Sequence, residues 1–181
     1  MARGFDHRRG IALAQAEATL LLHTVLGPTS PRGAVVWRRS WRVVQQLLPG
    51  DEFIAARKLY GGSINQFNHA YKNFGWNVVW ADSDDPSSFE AAITPKTKAI
   101  FVESIANPGG VIVDLQAIAA IAKKHRIPFI VDNTVATPYL LNPLKHGADI
   151  VVHSATKYLG GHGTSIAGVV VDGGTFDYGA H

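Results

Sequence analysis

The apolar run Val151-Val152-His153 leads into Ser154-Ala155-Thr156-Lys157, and a glycine-rich turn, Gly160-Gly161-His162-Gly163, follows almost at once. Hydroxyls two residues apart on an extended segment point the same way and can share one phosphate group. A lysine held beside them can condense with an aldehyde. Upstream, a second apolar run, Pro128-Phe129-Ile130-Val131, ends in the carboxylate of Asp132. A carboxylate, a lysine and a phosphate seat on neighbouring strand ends meet the requirements of a pyridoxal phosphate site. Each residue also has a plainer reading: Lys157 as a solvated loop lysine, Asp132 as a cap for the next segment, Ser154 and Thr156 as turn caps. Asp114 and Asp149 sit in comparable settings, and for these two the structural role is preferred.

The elements that must position these groups alternate between strand and helix signals from Pro49 onward. Asp51–Ala56 reads as a strand after a Pro-Gly turn. Ser63 with Gln66 has the spacing of a capping box, and Phe67, Ala70, Tyr71 and Phe74 then form one helical stripe that Gly75 ends. Trp76–Trp80 is the next strand. Asp85 and Pro86 open a short helix through Ile93, and Lys98–Glu103 is a strand. Asp114 caps a helix whose Leu115, Ile118, Ala119 and Ala122 face inward; Lys123, Lys124 and Arg126 complement its negative end, and Pro128 forbids continuation. Strands over Phe129–Asp132 and Ile150–His153 flank a loop rich in proline and asparagine, and a last strand covers Ile166–Asp172. Such alternation predicts an α/β fold, a mainly parallel sheet covered on both faces, with ligands beyond the carboxyl ends of the strands.

Composition narrows the remaining classes. A chain of 181 residues with 46% hydrophobic and 17% charged residues suits a globular domain. It has no cysteine, so disulfides and thiolate metal sites are excluded. None of its eight histidines has a partner at metal-ligand spacing, and no metal is expected. No apolar run approaches the roughly 18–20 residues of a membrane span, and the early stretch Ile11–Leu26 is interrupted by Gln15, Glu17 and His23, so a cytoplasmic protein is expected. The net charge of +3 is uneven. Seven arginines and two acids fall in residues 1–49, while eight lysines, two arginines and twelve acids fall in 50–181. An arginine-rich arm could contact phosphates, but the foreign composition favours a segment, residues 1–49, that does not belong to the fold of 50–181. The mildly acidic body carries no nucleic-acid footprint.

Four motifs, in order, resemble the pyridoxal phosphate enzymes of cysteine and methionine metabolism: Leu59-Tyr60-Gly61-Gly62-Ser63, Glu103-Ser104-Ile105-Ala106-Asn107-Pro108, Val131-Asp132-Asn133-Thr134 and Ser154-Ala155-Thr156-Lys157-Tyr158. Pro49-Gly50-Asp51-Glu52 and Val171-Asp172-Gly173-Gly174-Thr175-Phe176-Asp177 are most similar to the O-acetylhomoserine sulfhydrylase branch. The resemblance implies the large domain of fold-type I pyridoxal phosphate transferases, a three-layer α/β/α arrangement. It implies that Lys157 carries the cofactor and moves the substrate's Cα proton, and that Asp132 partners the pyridine nitrogen. It further implies that Tyr60 stacks on the ring and assists proton transfer, that Asn107 bonds the 3-oxygen, and that Ser154 and Thr156 hold the phosphate. The implied reaction joins O-acetylhomoserine and sulfide to give homocysteine and acetate, in a homo-oligomer. Cystathionine γ-synthase and γ-lyase chemistry are the enzymatic alternatives. A phosphate-binding Rossmann-like module using the Gly160–Gly163 turn and a non-catalytic fragment are the others.

The family pattern is not met throughout. Its Ser-Gly-x-Ala-type phosphate loop has no counterpart between Met1 and Leu48, nor do the tyrosine and arginine that a neighbouring subunit lends. The chain stops at His181, where the family continues into a smaller carboxy-terminal domain bearing the arginine for the substrate carboxylate. A fragment, with a disrupted frame at its start, is expected on these grounds.

Overall fold

The computed structural model describes residues 49–178. Expectations about Ile11–Leu26 and the arginine-rich start lie outside the described residues. Six strands form one sheet in the order β2-β1-β3-β4-β5-β6. These are β1 (Glu52–Ala56), β2 (Asn77–Ala81), β3 (Thr97–Glu103), β4 (Phe129–Asp132), β5 (Ile150–Ser154) and β6 (Gly168–Asp172). β1 to β5 pair in parallel, and β6 pairs antiparallel with β5. The mainly parallel sheet is therefore found, with an antiparallel strand at one edge. Ile166 falls outside β6 and is 95% exposed. It faces solvent, so its apolar side chain is no guide to the strand's start.

Helices α1 (Gly61–Asn65), α2 (Pro86–Ala91), α3 (Leu115–His125) and α4 (Thr137–Leu140) lie between the strands. The chain steps from β1 outward to β2, then back past β1 to β3 and on to β4 and β5. Right-handed crossovers put the β1–β2 connection on one face and the later ones on the other. The side chains agree. Phe67 and Tyr71, from the first connection, meet Phe53 of β1, and Phe67 also meets Trp80 of β2 and Phe101 of β3. Ile100 and Val102, which alternate with Phe101, are fully buried with Phe89 of α2 and Ile118 of α3.

The caps follow the sequence in two helices and depart from it in one. Asp85 accepts from the Ser87 amide at 2.9 Å and Asp114 from the Ala117 amide at 3.0 Å, as expected. Ser63 caps nothing: it lies within α1, whose first carbonyl acceptor is that of Tyr60, bonded by the Ile64 amide at 3.1 Å. The helix starts early because the Tyr60 amide is already tied to β3, leaving its carbonyl aimed into the first turn. The expected stripe is real, but its backbone widens to a π turn over Gln66–Ala70 and tightens to a 3₁₀ turn over Tyr71–Phe74. Gly75 ends it at φ 77°, where a Cβ would also meet Pro49 at 3.0 Å. The proline- and asparagine-rich loop holds α4 and a 3₁₀ turn, Pro143–His146. Asp149 is structural, as expected: Oδ2 accepts from the Phe129 amide at 2.9 Å and Oδ1 from the Thr175 hydroxyl at 3.1 Å.

Candidate active site

Every residue marked out by the sequence leaves the sheet at a carboxyl end. Asp132 ends β4 and Ser154 ends β5; Thr156 and Lys157 occupy the turn after β5. Asn107 lies in the turn after β3, before a cis bond to Pro108. Tyr60 precedes α1 on the connection from β1, its side chain about half exposed.

Hydrogen bonds knit these ends in two groups. In the first, Thr134 donates its amide (2.9 Å) and hydroxyl (2.5 Å) to Oδ1 of Asp132, and its hydroxyl accepts from the Ser154 amide at 2.8 Å. Thr134 thus joins the carboxylate on β4 to the hydroxyl on β5. Behind it, fully buried Asn133 accepts from the Ser104 hydroxyl at 2.7 Å and donates to the carbonyls of Thr137 and Leu141. Its own carbonyl accepts from Nδ1 of buried His153 at 3.1 Å. Burial pushes the His153 imidazole below its usual range, against the opposing pull of the Asn133 carbonyl and the Asp132 charge.

In the second group, Glu103 accepts from the amides of Tyr60 (2.7 Å) and Asn107 (2.8 Å), one on each oxygen. Burial raises the Glu103 carboxyl above its ordinary value, the two amides pull it down, and Asp132 raises it further. Glu103 pairs in register with Asp132 across β3 and β4, so the two groups adjoin.

The sequence motifs contain Glu103 and Thr134 but give no sign of these roles. Each binds a backbone amide distant in sequence, Glu103 that of Tyr60 and Thr134 that of Ser154, which residue type and spacing do not report.

Residues suited to pyridoxal phosphate keep their atoms available. Among the described residues, Oδ2 of Asp132, Oγ of Ser154, the Asn107 side chain and Nζ of exposed Lys157 take no hydrogen bond. The set supplies an anion for a ring nitrogen, a hydroxyl for phosphate, an amide for a phenolic oxygen and an amine for an aldehyde. It fits the group. Thr156 is different: its hydroxyl donates to the Ala167 carbonyl at 3.2 Å and accepts from the Ala167 amide at 3.0 Å. A phosphate could take its proton only by displacing the carbonyl. The Lys157 turn closes by bonds from the Gly160 amide to Ala155 and the Gly161 amide to Lys157, each 2.8 Å. A Cβ on Gly160 would stand 2.7 Å from the Ala155 carbonyl oxygen, so only glycine fits there. The Gly160–Gly163 turn runs into β6 and opens no helix, which removes the helix N-terminus that a Rossmann-like phosphate site needs.

The profile of the family described as "Cys/Met metabolism PLP-dependent enzyme" matches residues 39–180. The chain belongs to that family. It is 47% identical over 130 residues to an O-acetyl-L-homoserine sulfhydrylase of Leptospira meyeri, covering 72% of this chain and 29% of that protein. Against a homocysteine/cysteine synthase of Saccharomyces cerevisiae it is also 47% identical over 130 residues, covering 71% of this chain and 29% of that protein. A Campylobacter jejuni structure assigned as an O-acetylhomoserine (thiol)-lyase, which holds N'-pyridoxyl-lysine-5'-monophosphate, superimposes with a TM-score of 0.71 at 44% identity. That match covers 75% of this chain and 34% of the other. A cystathionine γ-lyase from Lactobacillus plantarum, complexed with L-serine, gives 0.69 at 44% identity over 72% of this chain and 34% of that one. The fold is thus the fold-type I α/β domain that the motifs imply, and the family's cofactor is pyridoxal phosphate. The chain spans under a third of the length of these two curated relatives.

Proposed function

We propose that this chain carries the cofactor-binding part of an enzyme for γ-replacement: O-acetyl-L-homoserine and sulfide give L-homocysteine and acetate. The observation that carries the reading is that Oδ2 of Asp132 and Oγ of Ser154, at the ends of the paired strands β4 and β5, and Nζ of Lys157 in the turn that follows take no hydrogen bond among the described residues. Relatives named for sulfhydrylase and homocysteine synthase activity support the choice of reaction. When bound, pyridoxal phosphate supplies an aldehyde for covalent attachment and a ring that accepts electrons.

The chain's residues do the remaining work. Lys157 attaches the group, then takes and returns a proton at the substrate's Cα. Asp132, its rotamer fixed by Thr134, offers Oδ2 to the ring nitrogen. Ser154 donates to phosphate, and Thr156 holds the turn closed through Ala167. Tyr60 would stack on the ring and Asn107 would bond its 3-oxygen. The family resemblance alone supports association of this chain into a homo-oligomer.

The likeness to a cystathionine γ-lyase favours one second reading, elimination from cystathionine. Incubation of the chain with pyridoxal phosphate, O-acetylhomoserine and sulfide is expected to release homocysteine, and Lys157→Ala to abolish it. Release of a keto acid from cystathionine, with no homocysteine from the acetyl ester, would replace this reading with the second.

A further inference from the structure

The sheet order places the crevice of the fold between β1 and β3. From β1 the chain crosses outward to β2, and from β3 it crosses the other way to β4. Ligands enter open α/β sheets at such a point, beyond the strand ends. Glu103 is the last residue of β3, at this gap, and is only 5% exposed. One oxygen holds the amide of Tyr60 on the β1 side, and the other holds the amide of Asn107 on its own side. A single carboxylate therefore grips both lips of the crevice.

The chemistry of the grip requires a carboxylate. Two backbone N–H groups need two acceptor oxygens, and a glutamine amide would present one oxygen and two donors. No cation pairs with Glu103 among the described residues, although the in-register Asp132 adds a second negative group at the next strand end. Adjacent carboxylates in a buried setting are costly without a positive partner. A protonated ring nitrogen held by Asp132 would supply one.

We propose that Glu103 is a positioning residue of the cofactor site, setting through its two oxygens the separation between the Tyr60 ring and the Asn107 side chain. The proposal rests on the pyridoxal phosphate reading of the site. It makes the placement of the ring depend on a residue that does not touch it.

The test compares the full chain with Glu103→Gln. Three quantities are read: affinity for pyridoxal phosphate, circular dichroism in the visible band of the bound cofactor, and far-ultraviolet signal of the unloaded protein. The expected result is about tenfold weaker binding and a diminished visible signal with the far-ultraviolet spectrum retained. Amide hydrogen exchange on the unaltered chain gives a second measurement that does not depend on the variant's folding. The Tyr60 and Asn107 amides are expected to be protected before any cofactor is added. Equal affinity and an equal visible signal in Glu103→Gln would overturn the proposal, as would open-loop exchange at both amides. If the unaltered chain binds no pyridoxal phosphate, the underlying reading fails instead, and exchange alone decides whether the grip exists.

Discussion

A side chain at this site acts as much through what it leaves free as through what it binds. Thr134 spends both of its donors on Oδ1 of Asp132, so the orientation of Oδ2 is fixed while no protein donor among the described residues occupies it. His153 shows the opposite case, a ring committed to structure. Its Nδ1–H donates to the Asn133 carbonyl, and burial holds its folded pKa below the usual 6.5. Between that lowered value and 6.5 the unfolded chain binds the proton more readily, so the stabilisation is present above pH 6.5 and lost as pH falls through the folded value. Stability of the unloaded chain, measured by urea unfolding across this range, should decline on acidification. In His153→Gln the decline should be shallower; equal slopes in both proteins would dismiss His153 as the group responsible.

At the scale of elements, strand ends and two helix caps were legible because local chemistry decides them. Asp85 and Asp114 each precede a helix with a side-chain oxygen aimed at a free amide. Ser63 had the same local pattern, yet a tertiary bond from the Tyr60 amide to Glu103 moved the start of α1 upstream. The direction of β6 was not legible: an apolar run of four or five residues reads alike whichever way it runs. The charge of Arg126 suits the helix terminus, and the backbone adds a second feature. The residue sits at φ 56°, ψ 39°, closing α3 in the left-handed region where a side chain is strained. Arg126→Gly should therefore raise stability by about 1 kcal/mol, read as a higher urea midpoint at unchanged slope. A fall of that size would show that the arginine side chain contributes more than its backbone strain removes.

Across the whole molecule, one reversal of strand order organises the rest. It sends the β1–β2 connection to one face and the later ones to the other, buries Ile100 and Val102 on one side and the Phe53–Phe67–Phe101 cluster on the other, and opens the crevice at β1 and β3. The motifs announced the residues at and just past the carboxyl ends of β4 and β5, because amine, carboxylate and hydroxyl carry their chemistry in their types. They could not announce Glu103 as the link between Tyr60 and Asn107, since the bond to Tyr60 spans 43 residues and is made to a backbone amide.

The central claim is that Lys157 is the amine that binds the cofactor, and borohydride reduction of the chain with pyridoxal phosphate, followed by digestion and mass spectrometry, tests it most directly. The account predicts a pyridoxyl group on the peptide containing Lys157 and far less on those containing Lys98 or Lys145. Labelling spread evenly over the lysines, or absent from Lys157, would contradict it.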